Sequence, residues 1–289
     1  MTTAVLPAGA ATAPRSAPLG RLLGAELTWV LRRPRTLVML GVLALIPVVI
    51  AIGVTVVGGD VPGPRGGPGL IGAIAGNGLV LPVASITLAL ALLLPMAVTT
   101  AAADAIAGEA ASGTLRGLLL APVGRLRLVV MKAFGVLVVA TLAVLVIAVA
   151  GLLAALVVVG SADGQLVTLS GTTIGLGEAL GRVLIMVVWT VGQLAAVGAV
   201  ALALSSLTEH PMVVLASVLG GLIVFGVLSA IPALDWLQPY LLTSGWTAGA
   251  DVLRDPMVWD GLVESSLRAL CYTAVGGGLA TYRMLRRDA

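Results

Sequence analysis

The sequence is dominated by six apolar runs of about 20 to 25 residues, a length that crosses the roughly 30 Å hydrocarbon core of a bilayer as a helix. Lipid offers no hydrogen bonds to the backbone, and a helix satisfies its amides within one segment. Only 10% of the 289 residues are charged, whereas a soluble domain carries roughly 25%. The sequence therefore predicts an all-α integral membrane protein with six transmembrane helices.

The predicted spans are separated by connections of very different length, from the tight turn at 205–211 to the long segment 232–261. They cover residues 36–57, 79–103, 133–159, 183–204, 212–231, and a last segment from about 262 or 267 to 282. Residues 1–18 predict a disordered cytoplasmic tail because they lack apolar periodicity. Residues 19–289 then form a single domain of six spans.

Two segments outside the spans have a distinct composition. Residues 19–33 alternate apolar and charged positions at helical spacing, which predicts an N-terminal helix lying in the membrane interface. The alternative is that they simply extend the first span. Residues 232–261 hold Trp236, Tyr240 and Trp246, aromatics favoured at a membrane surface, and predict external interfacial helices before span 6.

The basic residues indicate the orientation. They cluster at 32–35, 116–132 and 283–287, while the opposite side of the predicted topology holds Arg65, Arg182 and Arg254. Cytoplasmic loops carry the excess of Lys and Arg, so we expect both termini to lie in the cytoplasm and the chain to lie in the plasma membrane. The net charge of +3 arises beside spans and does not indicate nucleic-acid binding.

The densest charge lies between the second and third spans, in residues 104–132. Ser112 or Thr114 can cap a short helix there, and Pro122 and Gly124 end it. The apolar residues of that helix share one side: Leu115, Leu118 and Leu119. An amphipathic helix between two spans suits a soluble partner, although a solvated loop that merely joins the spans fits equally well.

Polar residues inside or beside spans are few. Asp104 and Glu109 near one membrane face pair either with neighbouring arginines or with a partner surface, and Glu264 can pair with Arg268 four residues later. Gln193 lies near the middle of the fourth span. A mid-membrane amide either lines a transport pathway or bonds a neighbouring helix.

Several residues after the second span form one pattern: Gly108-Glu109, Ser112-Gly113-Thr114-Leu115, Leu118-Leu119, Pro122-Val123, Arg125 and Lys132. This pattern resembles the signature of type-2 ABC-transporter permeases. In those proteins a Glu, a Gly-Thr-Leu, a Leu pair, a Pro-Val-Ser-Arg and a downstream Lys follow the second span. Gly124 stands where Ser is usual. The predicted topology and the Arg-rich C-terminal end extend the resemblance over nearly the whole chain.

The resemblance implies a non-catalytic permease subunit that works with a separate ABC ATPase and a second permease copy, identical or different. The helix after the second span would be the coupling helix that docks on the ATPase. Carried over, its docking residues are Glu109, Gly113, Thr114, Leu115, Leu118, Leu119, Pro122 and Arg125. The sequence contains no phosphate-binding loop, so ATP and Mg would be bound by the ATPase and this chain would hold no cofactor. Such permeases mostly export drugs, lipids or similar hydrophobic or amphipathic substrates.

Two other classes fit less well. A secondary transporter usually shows inverted repeats and intramembrane ionisable residues, and the two halves of this sequence show no convincing similarity. A membrane-embedded lipid-modifying enzyme needs several reactive groups near one membrane face. One histidine, one cysteine and no acid pair inside a span leave little material for that chemistry or for a metal site.

Overall fold

The structure, a computed structural model, describes residues 19–57, 80–113, 124–159, 165–168, 170 and 172–286. The tail predicted at residues 1–18 lies outside the described residues. Helices make up most of the described part. They are α1 (Leu19–Arg32), α2 (Pro34–Val57), α3 (Leu81–Leu90), α4 (Leu93–Ala103), α5 (Arg125–Ala154), α6 (Leu176–Ser205), α7 (Pro211–Ser229) and α8 (Asp260–Arg286).

The segment predicted as an interfacial helix forms α1, which is separate from the first span. Arg33 lies outside both helices because Pro34 follows it, and a residue before proline is disfavoured in the helical region. Pro34 itself opens α2, a position where its missing amide costs nothing. The alternative that residues 19–33 continue the first span is therefore wrong. The location of α1 in the membrane interface stays a prediction.

The second span is broken. Helices α3 and α4 meet at Ala91–Leu92 with a bend of 54°, and Leu92 has the non-helical angles φ −150 and ψ −47. Pro95 explains the break, because its ring clashes with the carbonyl group four residues earlier and it donates no hydrogen bond. A proline inside an apolar run was the available signal, and the prediction of one continuous span overlooked it.

Fewer described helices are long and apolar enough to span a membrane than the six that the sequence predicts. Among the described residues, α2, α5, α6 and α7 are long and apolar enough to cross a membrane, and α3 with α4 counts as a fifth span if the bent pair is one unit. Helix α8 has 27 residues, enough for a span, but its glycines and polar residues lower its apolarity. The six-span count is therefore not confirmed.

Helix α8 nevertheless runs alongside α6 through the bundle. The Trp189 indole donates to Ser265 Oγ at 3.0 Å near one end. Further along, a Cβ at Gly276 would lie 2.7 Å from the carbonyl carbon of Ala199. The two residues of the first contact are 76 positions apart in the sequence, and those of the second are 77 apart. Because this separation hardly changes along the helices, α6 and α8 lie side by side and parallel. The absence of a side chain at Gly276 permits this close approach to Ala199.

The two ends of the bundle differ. The basal end holds α1, the connection from α4 to α5, and the last residues of α6 and α8. The hairpin end holds strands β1 (Gln165–Val167) and β2 (Thr173–Gly175), which pair antiparallel with Leu166 opposite Ile174. It also holds two 3₁₀ helices, η1 (Pro232–Tyr240) and η2 (Thr243–Leu253). The prediction of short helices in residues 232–261 is confirmed as secondary structure.

Candidate functional site

The candidate site is the connection between α4 and α5 at the basal end. Of the predicted docking residues, the structure describes Glu109, Gly113 and Arg125. The others lie outside the described residues: Thr114, Leu115, Leu118, Leu119 and Pro122. What the structure defines is therefore the two stems of this connection, residues 104–113 and 124–132, and the contacts that hold them.

The first stem leaves α4 through a π-helical turn, Asp104–Gly108. A π turn widens the helix and changes the hydrogen-bond spacing, and such turns occur frequently at functional sites. The hydroxyl group of Ser205 lies against it, accepting from the Ala107 amide at 2.9 Å and donating to the Ala103 carbonyl at 3.3 Å. Ser205 is fully buried. The last residue of α6 therefore stabilises the irregular start of the connection.

A buried lysine joins the two stems to α1. Lys132 Nζ lies 2.6 Å from Glu109 Oε1 and 3.4 Å from Glu26 Oε1. The three side chains are only 4%, 12% and 8% exposed. Burial raises the pKa of Glu26 above its ordinary value, against the opposing attraction of Lys132. Two carboxylates thus share one ammonium group in a site largely closed to water.

A second group of charges lies beside it. Asp104 Oδ2 is 2.9 Å from Arg35 Nη1 and 3.3 Å from Arg33 Nη1. The guanidinium group of Arg33 stacks on the Trp29 ring at 3.6 Å, and Lys132 Nζ lies 5.1 Å from the same ring. The prediction that Asp104 pairs with neighbouring arginines is therefore confirmed.

We call these residues the basal ion cluster: Glu26, Arg33, Arg35, Asp104, Glu109 and Lys132. The cluster ties α1 and the start of α2 to both stems of the connection. The cavity beside it measures about 40 Å³, room for a buried water molecule and far below the size of a ligand site. The arrangement therefore suits a mechanical joint and not a substrate site.

Two glycines shape this joint. Gly113 has φ +74, a left-handed conformation that a side chain disfavours, and its amide bonds the Ala110 carbonyl at 3.0 Å where the first stem leaves the helix. A Cβ at Gly135 would lie 2.9 Å from Glu26 Oε1. The absence of a side chain at Gly135 thus leaves room for the Glu26 carboxylate against α5.

Arg125 begins the second stem and α5. Its guanidinium group donates to the Leu285 carbonyl at 2.9 Å, near the C-terminal end of α8. A cation beside the last carbonyl groups of a helix is favourable because those groups lack partners within the helix. Arg125 therefore connects the second stem to α8, a contact that the sequence did not indicate.

Arginines also anchor the hairpin end. Arg182 is buried and donates to the Arg254 carbonyl at 2.6 Å, while it pairs with Glu178 at 2.7 Å and Asp255 at 3.2 Å. The hydrogen bond from Thr172 lowers the pKa of Asp255 below its ordinary value. The predicted Glu264–Arg268 pair is confirmed, with Nη2 and Oε1 2.7 Å apart.

Gln193 is fully buried in α6. Neither its amide nitrogen nor its amide oxygen has a hydrogen-bond partner among the described residues. The structure thus provides no bond from this amide to a neighbouring helix. Among the same residues, no group of three or more His, Cys, Asp or Glu side chains could hold a metal ion.

Residues 26–244 match the family model described as "ABC-2 family transporter protein". This match covers more than half of the chain. The chain belongs to the ABC-2 transporter family. It is a multi-pass membrane subunit of an ABC transporter, and membrane subunits of this family associate with ABC ATPases. No curated protein sequence matches the chain.

The sequence located the connection of this ABC-2 permease but missed what holds it. In the sequence, Lys132 stands out only as part of the resemblance, and Glu26 is only one of the charged positions in residues 19–33. Both could have been flagged, since an acid on an apolar interfacial helix and a lone lysine beside a span need partners. The role of Ser205 carried no such signal, because serine is common at helix ends.

Proposed function

We propose that this chain is the membrane-spanning permease subunit of an ATP-driven exporter of a hydrophobic or amphipathic substrate, such as a drug or lipid. It has six spans, of which α8 is the sixth. It lies in the plasma membrane with both termini in the cytoplasm. It works with a second permease copy, identical or different. The basal end is the cytoplasmic end, and a separate ATPase that binds ATP and Mg docks there.

The basal ion cluster is the observation that supports this proposal. A docking segment transmits force only if its stems are held rigidly to the helices that must move. Here both stems are fixed to α1 by Lys132 and its two carboxylates, and the second stem is fixed to α8 by Arg125. Packed elements move as units in such transitions. Closure of the ATPases would therefore displace α1, α4, α5 and α8 together.

In this proposal the docking residues divide into two groups. One contacts the ATPase directly: Thr114, Leu115, Leu118 and Leu119. The other shapes and holds the segment: Glu109, Gly113, Pro122 and Arg125. Glu109 then acts through its 2.6 Å contact with Lys132, which orients the first stem toward the partner.

The test is co-purification of the ATPase with the Leu118→Asp variant of the full-length permease. We expect the charged residue to reduce ATPase recovery about tenfold, because a carboxylate would be buried in an apolar docking groove. Leu207→Asp is the matched control, since Leu207 is an exposed leucine at the same end, 46% accessible. Undiminished recovery and transport with Leu118→Asp would refute the docking role, and labelling of position 118 from outside intact cells would refute the orientation.

A further inference from the structure

The interior of the bundle contains polar side chains that have no hydrogen-bond partner among the described residues. Both amide atoms of Gln193 and the hydroxyl group of Thr190, one turn away on α6, are buried without a hydrogen bond among the described residues. Both side chains are 0% exposed. A buried polar group left unpaired destabilises the folded chain, because it loses its hydrogen bonds to water. Unpaired polar groups inside an apolar bundle therefore call for an explanation, and one explanation is that they bind a ligand.

These side chains lie at the level of the break in the second span. A Cβ at Gly198 would lie 3.1 Å from Val98, and Ser205 bonds Ala103 and Ala107. Helices α4 and α6 are therefore parallel, and residues whose numbers differ by about 100 lie side by side. This register places Thr190 and Gln193 beside residues 90–93. There the first amides of α4 lack partners within their own helix.

Helix η2 adds further polar groups on the hairpin side of Thr190 and Gln193. A Cβ at Gly249 would lie 3.0 Å from both Met186 and Trp189, so η2 rests on α6 directly beside Thr190. Residues three apart eclipse one another in a 3₁₀ helix, and Thr243 and Trp246 therefore share the face of Gly249. The Thr243 hydroxyl and the Trp246 indole nitrogen are also buried without a partner among the described residues.

The chemistry of this set is uniform. It offers an amide, two hydroxyl groups and an indole N–H, which donate or accept hydrogen bonds and carry no charge. The charged side chains nearest to this set already have counter-charges. Arg268, which bonds Ser244 beside Thr243, pairs with Glu264 at 2.7 Å. Arg182, which donates to the Val252 carbonyl of η2, pairs with Glu178 and Asp255. An ionised ligand group beside Gln193 would therefore lack a counter-charge, whereas a hydroxyl, ether or carbonyl group would find partners.

We propose that Gln193, Thr190, Thr243 and Trp246 form a neutral binding track for the polar part of an uncharged amphipathic substrate. This inference rests on the proposed export function and specifies its substrate class. The track is closed in the structure, and its side chains acquire partners when the break between α3 and α4 opens to substrate and water. Gln193 is the centre of the track because its amide both donates and accepts.

The experiment uses the full-length permease with its ATPase in lipid nanodiscs. Cys271 is the only cysteine, so Cys271→Ser gives a background in which Thr190→Cys places one thiol in the track. N-ethylmaleimide reacts with the thiolate, which forms only where water reaches it. Ala196→Cys is the matched control, because Ala196 is equally buried on the same helix, at 0% exposure.

We expect the thiol at position 190 to react at least about tenfold faster than the thiol at 196, with or without ATP turnover, a difference of about 1.4 kcal/mol in accessibility. Octyl glucoside, an uncharged probe, should slow this reaction at least about threefold. Octyltrimethylammonium and octanoate share its alkyl chain but are charged, and they should not protect. Adding Gln193→Leu should abolish the protection by octyl glucoside, measured as the ratio of the labelling rates with and without the probe in that variant.

Equal reaction of the two thiols in every nucleotide state would overturn the inference, because the interior would then be permanently dry. Equal protection by all three probes would also overturn it, since only the alkyl chain would be recognised. Protection that survives Gln193→Leu would remove Gln193 from the track. The same labelling on the permease without ATPase separates the two proposals: a chain that protects position 190 but binds no ATPase keeps the track and refutes the export function.

Discussion

Replacing Lys132 by methionine is the sharpest test of the basal ion cluster. Methionine keeps the length and apolar stem of lysine but removes the ammonium group that lies 2.6 Å from Glu109 and 3.4 Å from Glu26. The two carboxylates would remain, 12% and 8% exposed, without their shared cation. Removing one partner of a buried ion pair typically costs about 3–5 kcal/mol. We expect a loss of unfolding free energy in that range.

The assay is the midpoint of thermal unfolding of the purified permease, followed by fluorescence-detected size exclusion. A loss of 3 kcal/mol corresponds to a decrease in midpoint of about 5 °C for a chain of this size. Arg127→Met is the control, because it removes a cation from the first turn of the same helix α5, and Arg127 forms no ion pair with another described residue. It should change the midpoint by less than about 2 °C.

A third variant separates charge from packing. Combining Lys132→Met with Glu26→Gln and Glu109→Gln removes every charge of the triad, and replacing a whole buried ion triad is often neutral for stability. We therefore expect the triple variant to recover most of the lost stability. If Lys132→Met is as stable as Arg127→Met, or if the triple variant is no better than the single one, the cluster does not hold the stems and the reasoning fails.

Three further predictions concern single positions. The pKa of Glu26 is raised in the folded chain, so ionisation of this carboxyl group lowers the stability of the folded chain as pH rises above 4.5. The unfolding midpoint of Glu26→Gln minus that of the wild type should therefore grow from about pH 5 to about pH 8. A constant difference would contradict the pKa shift. Gly113→Ala should cost about 1–2 kcal/mol at its positive φ, measured by chemical unfolding, whereas Gly124→Ala, at φ −59, should be nearly neutral. Gly276→Ala should lower the unfolding midpoint by an overpacking cost of about 1–3 kcal/mol, since its Cβ would meet backbone atoms at 2.7 Å; Gly277→Ala meets nothing within 4 Å and should not.

The sequence alone was enough to identify the class and most helices of this ABC-2 permease. Apolar runs of bilayer length predict helical spans on physical grounds that need no partner, and α2 and α7 begin and end within two residues of the predicted limits. The helices α5 and α6 begin about eight residues before the predicted spans. Their first two turns carry polar residues such as Arg125 and Arg182, and hydropathy marks where lipid begins, not where the helix begins.

The local chemistry of single residues accounts for a second level of prediction. The Glu264–Arg268 pair is visible in the sequence because a helix always brings residues four apart together. The break at Pro95 is equally local, and its cause can be read from the missing amide. Features of this kind depend only on neighbours along the chain, so a closer examination of the second run would have found the break.

Other features were decided only by the tertiary structure. Lys132 meets Glu26 across 106 positions of the chain, and Ser205 meets Ala103 across 102. Gly198 approaches Val98 across 100 positions because α4 and α6 pack against each other. The sequence determines which groups need partners, since burying a polar group without one costs free energy in any fold. Which partners they find depends on how the helices pack, and that packing is set by contacts between residues far apart in the chain.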